Sequence, residues 1–169
     1  MIAAVDVNYL DETTAVAAAV VFKEFTDTAH VAQYTAQVTD FGSYIPGKFY
    51  QRELPGIVVV LEKISEQIET VIIDGYVVLD DHRPGLGYHL WQHLGGQTAV
   101  IGVAKSQFTG AHPVTIIRGQ SHRPLYITAL GIDQDVAAEH ILHMAGAYRI
   151  PSLIRHADHL AKESARNTS

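Results

Sequence analysis

The 169-residue sequence contains no cysteine. Disulfide bonds, thiolate zinc sites and cysteine nucleophiles are therefore excluded. Long hydrophobic runs are also missing, because the longest early run, AVAAAVVF, falls far short of the roughly 20 residues that span a bilayer. The N-terminus has no basic segment of the signal-peptide type, and Asp6, Asp11 and Glu12 interrupt its apolar residues. We therefore expect a cytoplasmic protein.

Basic residues are scarce: 12 Lys and Arg face 18 Asp and Glu, for a net charge of -6. Proteins that hold duplex nucleic acid over a broad surface are usually basic, so the composition favours at most a small local nucleic-acid site. Serine-hydrolase elbows, Walker-type loops and dinucleotide-binding glycine motifs are absent. The length predicts a single domain, residues 1–169, with roughly the last six residues flexible.

Three strand-like segments open the chain and are joined by short polar turns. They cover residues 1–7, 14–23 and about 29–38. Short connections between consecutive strands predict an antiparallel meander. After the loop GSYIPGK, the apolar residues take the spacing of a one-sided helix at Leu54, Ile57, Val58, Leu61 and Ile64. Pro55 is tolerated in that helix only within its first turn.

Strands and helices alternate in the rest of the chain. We predict strands at residues 70–74 and AVIGVAK, a hairpin of PVTIIRG and PLYITAL, and helices at residues 85–94, 134–147 and 152–164. A meander followed by strand–helix units predicts an α/β protein. Its mixed sheet, an antiparallel meander followed by parallel strands, would be flanked by helices in the ribonuclease-H-like manner.

Four acidic residues stand where a carboxylate is unfavourable. Asp6 interrupts the apolar run MIAAVDV, and Asp74 ends the run TVIID. Glu53 lies in RELP at the start of a predicted helix, and Asp158 lies among apolar residues in RIPSLIRHADHLAK. A carboxylate in an apolar setting is costly unless something compensates its charge. Several that converge are compensated together by a hard divalent cation, typically Mg²⁺, in an arrangement suited to phosphodiester hydrolysis.

Each acid also has an ordinary structural explanation, and the sequence leaves both interpretations open. Asp6 could cap the following turn, and Asp74–Gly75 could be a simple turn pair. Glu53 could serve the dipole of its helix, and Asp158 could form an ion pair with Arg155.

Two further residues carry both a functional and an ordinary interpretation. Lys105 ends a predicted strand, where it could meet a phosphate as a point charge or remain a solvated strand end. Tyr44 lies in the rigid loop SYIPG, where it could stack on a base or simply cover the core.

Six segments in chain order resemble the endonuclease V family, metal-dependent nucleases that act on deaminated purines in nucleic acid. The segments are VDVNY, YIPGKFYQRELP, VIIDG, HLG, IGVAKS and YRIPSLIRHAD. The resemblance implies a ribonuclease-H-like fold, a role in nucleic-acid repair, Mg²⁺ as the cofactor with Mn²⁺ as a substitute, and DNA or RNA as the partner. It also implies cleavage on the 3′ side of deoxyinosine or inosine.

The resemblance assigns catalytic roles to particular residues. It implies metal-binding and catalytic roles for the four acids Asp6, Glu53, Asp74 and Asp158, the last standing where the family has Asp or His. Lys105 matches the lysine that supports the reacting phosphate.

The resemblance also implies a substrate-binding set. Tyr44, Ile45 and Pro46 match a wedge that separates the strands beside the lesion. Gly75 matches a glycine whose backbone helps to hold the flipped base, and Tyr76 follows it in the expected base pocket.

Three departures from the family pattern accompany these matches. Ser43 stands where the wedge usually begins with proline, Gly75–Tyr76–Val77 replaces Gly-His-Gly, and Leu130–Gly131–Ile132 replaces a Gly-His pair. The Cβ of Val77 would narrow a base pocket, so we expect an altered base preference. A nucleic-acid-binding module of the same fold with weak or no cleavage is the alternative. A nuclease for branched or unmodified strands is a third interpretation.

Overall fold

The computed structural model describes residues 1–39, 41–43 and 45–168, and a seven-stranded mixed sheet forms its centre. The strands are β1 (Ile2–Tyr9), β2 (Thr14–Phe22), β3 (Ala32–Thr39), β4 (Thr70–Asp74), β5 (Val78–Asp80), β6 (Arg83–Pro84), β7 (Ala99–Ala104), β8 (Val114–Ile116) and β9 (Leu125–Leu130). The helices are α1 (Tyr50–Glu62), α2 (Leu86–His93), α3 (Gln134–Leu142) and α4 (Ser152–Asn167).

The main sheet has the strand order β3-β2-β1-β4-β7-β9-β8. Strands β1, β2 and β3 form the predicted antiparallel meander. Strands β4 and β7 run parallel to β1, and the β9–β8 pair returns antiparallel to β7. The predicted fold class is therefore confirmed: an α/β protein whose mixed sheet combines an antiparallel meander with parallel strands and is flanked by helices.

Both faces of the central strands are buried, which explains why their sequences read as continuous apolar runs. In β1, Ile2 and Ala4 pack in the core under α3 and α4. Ala3 and Val5 point the other way and pack in the core under α1 and α2. A charged residue in such a strand has no solvated face, so Asp6 is accommodated only because it lies toward the carboxyl end of the strand.

Helix α4 approaches the sheet closely because its buried stripe is made of alanine. Ala157, Ala161 and Ala165 recur every fourth residue and are almost fully buried. They face β1 and β2, where Ala4 and, by strand alternation, Ala18 present small side chains on the same face. This small-on-small packing brings Asp158, next to Ala157, to the carboxyl end of β1.

Four details differ from the sequence-based prediction. Strands β5 and β6 form a separate two-stranded ribbon that we did not predict. Helix α3 ends at Leu142 rather than near residue 147, and α4 continues to Asn167, through residues that we expected to be flexible. Pro55 lies inside α1, beyond its first turn. In the described ranges, no helix is long and apolar enough to cross a membrane.

Candidate active site

Asp6 and Asp74 face each other where two parallel strands diverge. Strands β1 and β4 pair only as far as Ala4 and Ile72, and the two aspartates lie two residues further along each strand. Beyond that point β1 continues beside β2, and β4 continues beside β7. The divergence opens a crevice at the carboxyl ends of the strands, the usual place for a ligand in an open α/β sheet.

Helices on opposite faces of the sheet bring the other two acids to this crevice. A cavity of about 220 Å³ is lined by Asp6, Asp74, Lys105 and Asp158. A second cavity of about 270 Å³, on the side of α1, is lined by Asp6, Glu53 and Asp74. Because the two cavities share Asp6 and Asp74, the four acids and the lysine surround one continuous crevice.

Most of these carboxylates already have protein partners. Lys105 Nζ lies 2.7 Å from Asp74 Oδ2, and Tyr9 donates its O–H to Glu53 Oε1 at 2.9 Å. Lys162 Nζ lies 2.8 Å from Asp158 Oδ2. Among the described residues, no three His, Asp or Glu side chains are arranged to hold a metal ion as they stand. A shared cation would therefore require these side chains to turn from their present partners.

Burial and mutual repulsion give two of the acids an unusual affinity for protons. Burial, the hydrogen bond with Asp158 and the charge of Asp74 raise the pKa of Asp6 to about 7. Burial also raises the pKa of Glu53 to about 7, against the opposing hydrogen bond from Tyr9. Asp6 and Glu53 thus resist ionisation beside two other acids. The four side chains offer only oxygen ligands, which fit the binding of a hard divalent cation.

Asp158 and Lys105, in contrast, have pKa values that are shifted in favour of their charged forms. Burial opposes the charge of Asp158, but the hydrogen bond from Lys162 and that with Asp6 outweigh it and lower the pKa of Asp158. Burial likewise opposes the charge of Lys105, and the hydrogen bond to Asp74 outweighs it and raises the lysine pKa. The expected alternative partner of Asp158 was wrong: Arg155 lies over the Tyr148 ring, and Lys162 pairs with Asp158 instead.

An apolar cavity of about 270 Å³ adjoins the crevice at Asp74 and Gly75. Its described lining includes four aromatic side chains, those of Phe49, Tyr50, Tyr76 and Phe108. Gly75 has φ +125°, a backbone conformation that side chains with a Cβ rarely adopt. The residue that separates this cavity from the acids is therefore at a backbone position that favours glycine.

Tyr76 and Val77, which depart from the family pattern, have different places. Tyr76 lines the apolar cavity, and its hydroxyl donates to the carbonyl of Ser106 and accepts from the N–H of Phe108. Val77 is fully buried in the core and is not part of the cavity lining. Its side chain packs against Gly87, so its Cβ does not narrow the apolar cavity.

The loop before α1 carries the residues expected to form a wedge. Tyr44 lies outside the described residues. Ile45 and Pro46 are exposed, as a wedge requires. Phe49, at the end of this loop, is exposed by 53% and lines both the Glu53 side of the crevice and the apolar cavity. The loop thus ends at the crevice.

Some residues of the site were not among the sequence-based candidates. Tyr9 holds Glu53, and the Arg52 guanidinium lies 4.3 Å from the centre of the Tyr9 ring. Tyr9 and Arg52 lie in the segments VDVNY and RELP, so the family motifs already indicated that both residues belong to the site. Phe108 reaches the site only through tertiary packing, and no local pattern marks it. Arg155, which the sequence suggested only as an ion-pair partner of Asp158, also lines the crevice.

Comparison with known proteins agrees with this geometry. The sequence profile of a family described as Endonuclease V matches residues 1–131. The chain belongs to the endonuclease V family. An endonuclease V from Streptomyces coelicolor is 32% identical over 98% of this chain and 79% of its own length. The profile match ends before α3, so Asp158 lies outside it, and the packing of α4 places that residue in the crevice.

Solved endonuclease V structures share the fold. That from Streptomyces avermitilis is 30% identical, has a TM-score of 0.80, and covers 99% of this chain and 82% of its own. Ciona intestinalis endonuclease V, in complex with a 24mer DNA containing an inosine followed by a ribo-adenosine, is 20% identical with a TM-score of 0.82. It covers 99% of this chain and 87% of its own, and at that identity it shows the fold alone. The family is one of nucleases.

Proposed function

We propose that this endonuclease V family member is a Mg²⁺-dependent endonuclease that hydrolyses a phosphodiester bond on the 3′ side of a deaminated purine. Deoxyinosine and inosine, in DNA or RNA, are the proposed lesions, and repair is the proposed role. The observation that carries the proposal is the crevice in which four carboxylates and Lys105 lie beside an apolar cavity. The inosine-containing DNA bound by the Ciona relative supports the choice of base.

Asp6, Glu53, Asp74 and Asp158 would hold the cation, Mg²⁺ or Mn²⁺ as its substitute. Their donors are all carboxylate oxygens, which such hard cations prefer, and the raised pKa values of Asp6 and Glu53 mark carboxylates that need a compensating charge. When bound, the cation would lower the pKa of a water molecule and stabilise the negative charge of the reacting phosphate.

Residues of the chain supply the remaining parts of the reaction. Lys105 would place its ammonium group beside a phosphate oxygen, because it is charged and lines the same cavity as three of the acids. Tyr9 holds one oxygen of Glu53 and thereby orients that carboxylate toward the crevice. Gly75 joins the crevice to the apolar cavity, so the base and the phosphate of adjoining nucleotides could be bound together.

The apolar cavity would receive the base after it leaves the stack. Extrusion of a base costs a few kcal/mol, and less for a mismatched base such as hypoxanthine. Aromatic walls recover part of that cost by stacking. Phe49 and Phe108 are the proposed stacking residues, because Tyr50 already stacks on His89 and the Tyr76 hydroxyl is held by main-chain hydrogen bonds.

A cleavage panel tests the proposal. The substrates are single- and double-stranded DNA and RNA that carry inosine, each with a matched adenine control, incubated with Mg²⁺, Mn²⁺ or EDTA. Wild-type protein should cut the inosine strands one nucleotide beyond the lesion on its 3′ side, and EDTA should abolish cutting. Asp6→Ala and Asp74→Ala should not cut. Equal cleavage by these variants would sink the mechanism.

A second candidate function is a nucleic-acid-binding module without efficient cleavage. The observation that favours it is that Lys105 and Lys162 pair with Asp74 and Asp158, so two of the four carboxylates already have cationic partners. This alternative expects the inosine strands to bind, in a fluorescence anisotropy assay, with no product under either metal. The same panel therefore separates the two functions.

A further inference from the structure

A second groove lies next to the crevice but is not part of it. It is formed by the loops at residues 119–124 and 145–149, has a volume of about 500 Å³, and is lined by Gln120, Ser121, Ala147, Tyr148 and Arg149. We propose that this surface, the Tyr148 groove, binds a single-stranded stretch of nucleic acid that flanks the scissile phosphate, with one base stacked on Tyr148. The inference rests on the proposed function, since it adds a binding surface to the same substrate.

The ring of Tyr148 is exposed to solvent, and a neighbouring side chain holds its orientation. Tyr148 is exposed by 66%, the largest value among the large hydrophobic residues of the described chain. The guanidinium of Arg155 lies 5.2 Å from the centre of the ring, so it covers one face. The planar ring thus keeps a surface on which a base can stack, as aromatic side chains do in single-strand-binding proteins.

The loop that carries Tyr148 is held rigidly from beneath. Arg118 is only 5% exposed, and its guanidinium donates hydrogen bonds to five main-chain carbonyls, those of Leu142, Met144, Gly146, Tyr148 and Arg149. Gly119 has φ +60°, and a Cβ there would collide with the carbonyl of Ala147, so the two loops touch backbone to backbone. A rigid platform loses little conformational entropy when a ligand binds.

The charges around the groove suit a phosphate backbone. No acidic residue occurs among its described lining residues, although the whole chain has a net charge of -6. Arg149 lies in the lining and donates to the carbonyl oxygens of Lys105, Pro124 and Arg123. Arg155 lines the crevice while it contacts Tyr148. A strand that leaves the crevice would pass from Lys105 to these arginines, with attractive charge at each step.

Binding of unmodified strands tests the inference independently of cleavage. The protein is titrated, in the presence of EDTA, into labelled oligothymidylates of about 5 and about 20 nucleotides. Fluorescence anisotropy measures the affinity for each strand. We expect Tyr148→Ala to weaken binding of the longer strand about tenfold, and Tyr148→Phe to leave it near wild type, because stacking needs the ring and not the hydroxyl. Val136→Ala, which shortens an exposed apolar side chain on α3, is the matched control and should change nothing.

Salt dependence provides a second readout. The charge of Arg123 lies close enough to Arg149 to repel that guanidinium, which places it at the edge of the groove. Arg123→Ala should therefore weaken binding uniformly and reduce the slope of log affinity against log salt by about one, as expected for one lost phosphate contact. A wild-type protein that fails to bind the longer strand would overturn the inference. The inference would also be overturned if Tyr148→Ala bound as tightly as wild type, whether or not its unfolding midpoint is lower. The same holds if Tyr148→Phe lost as much affinity as Tyr148→Ala. Because the strands carry no inosine, failure of the cleavage panel leaves this result unaffected.

Discussion

Asp6→Asn is expected to stabilise the metal-free protein above neutral pH. The pKa of Asp6 is raised from 3.8 to about 7, chiefly by burial, so the folded state keeps a proton that the unfolded state releases. Between these two pKa values the unfolded state binds fewer protons, and the free energy of unfolding falls as the pH rises. At about 1.4 kcal/mol for each pH unit, the full loss approaches about 4 kcal/mol at pH 8.

Asparagine mimics the neutral form of the aspartic acid at nearly the same volume, and its amide can still donate to Asp158. The variant should therefore come within about 0.5 kcal/mol of wild type near pH 4, where Asp6 is protonated in the folded state and partly protonated in the unfolded state. It should exceed wild type by up to a few kcal/mol above pH 7, where wild type has lost that stability. Glu53→Gln should behave in the same direction, because burial raises its pKa to about 7 as well.

Urea unfolding in EDTA, followed from pH 4 to pH 8, measures this difference as a change in midpoint at constant slope. Glu12→Gln is the matched control, since Glu12 is exposed in the turn between β1 and β2 and should give parallel curves at every pH. The reasoning is refuted if Asp6→Asn is no more stable than wild type at pH 8, or if its advantage is the same at pH 5 as at pH 8.

Three further outcomes are expected. Mg²⁺ binding should release close to two protons near pH 6 and almost none near pH 9, because Asp6 and Glu53 must ionise to become ligands. Calorimetry in buffers of different ionisation enthalpy measures the number of protons released. Lys105→Ala should lower the single-turnover rate constant on an inosine strand by about 100-fold with little change in the half-saturating enzyme concentration, and Lys105→Arg should recover part of that rate. Gly102→Ala should destabilise the fold by about 1–3 kcal/mol in urea unfolding, because its Cβ would collide with the carbonyl of Gly75.

The fold was largely predictable because its main strands are buried on one or both faces and therefore carry a simple apolar pattern. The β5–β6 ribbon escaped prediction because it has only three and two residues and lies apart from the main sheet. Helix α3 ends early for a nonlocal reason. The buried guanidinium of Arg118 donates hydrogen bonds to the carbonyls of Leu142 and Met144, and the chain turns at Gly146, which has φ +112°. The spacing of apolar residues contains no information about either feature.

The acids of the site were predictable because a carboxylate in an apolar run is costly, and that cost is visible in sequence. Their partners were not. Tyr9 and Glu53 are separated by 44 positions, and only the packing of α1 on the sheet brings them together. Arg155 and Lys162 are both within one turn of Asp158, and the choice between them depends on Tyr148, which attracts the arginine to its ring.

Charge balance links the ion pairs of the crevice to its raised pKa values. Among the hydrogen-bonded ion pairs of the crevice, Lys105 and Lys162 each pair with one of the four carboxylates, which leaves two carboxyls without a partner of this kind. The two carboxyls without a cationic hydrogen-bond partner, Asp6 and Glu53, are the ones whose pKa values rise to about 7, so close to two protons complete the balance near pH 6. Two protons carry the charge of one divalent cation. On the proposed binding of the cofactor, the cation would replace the protons on Asp6 and Glu53, and the net charge of the buried site would change very little.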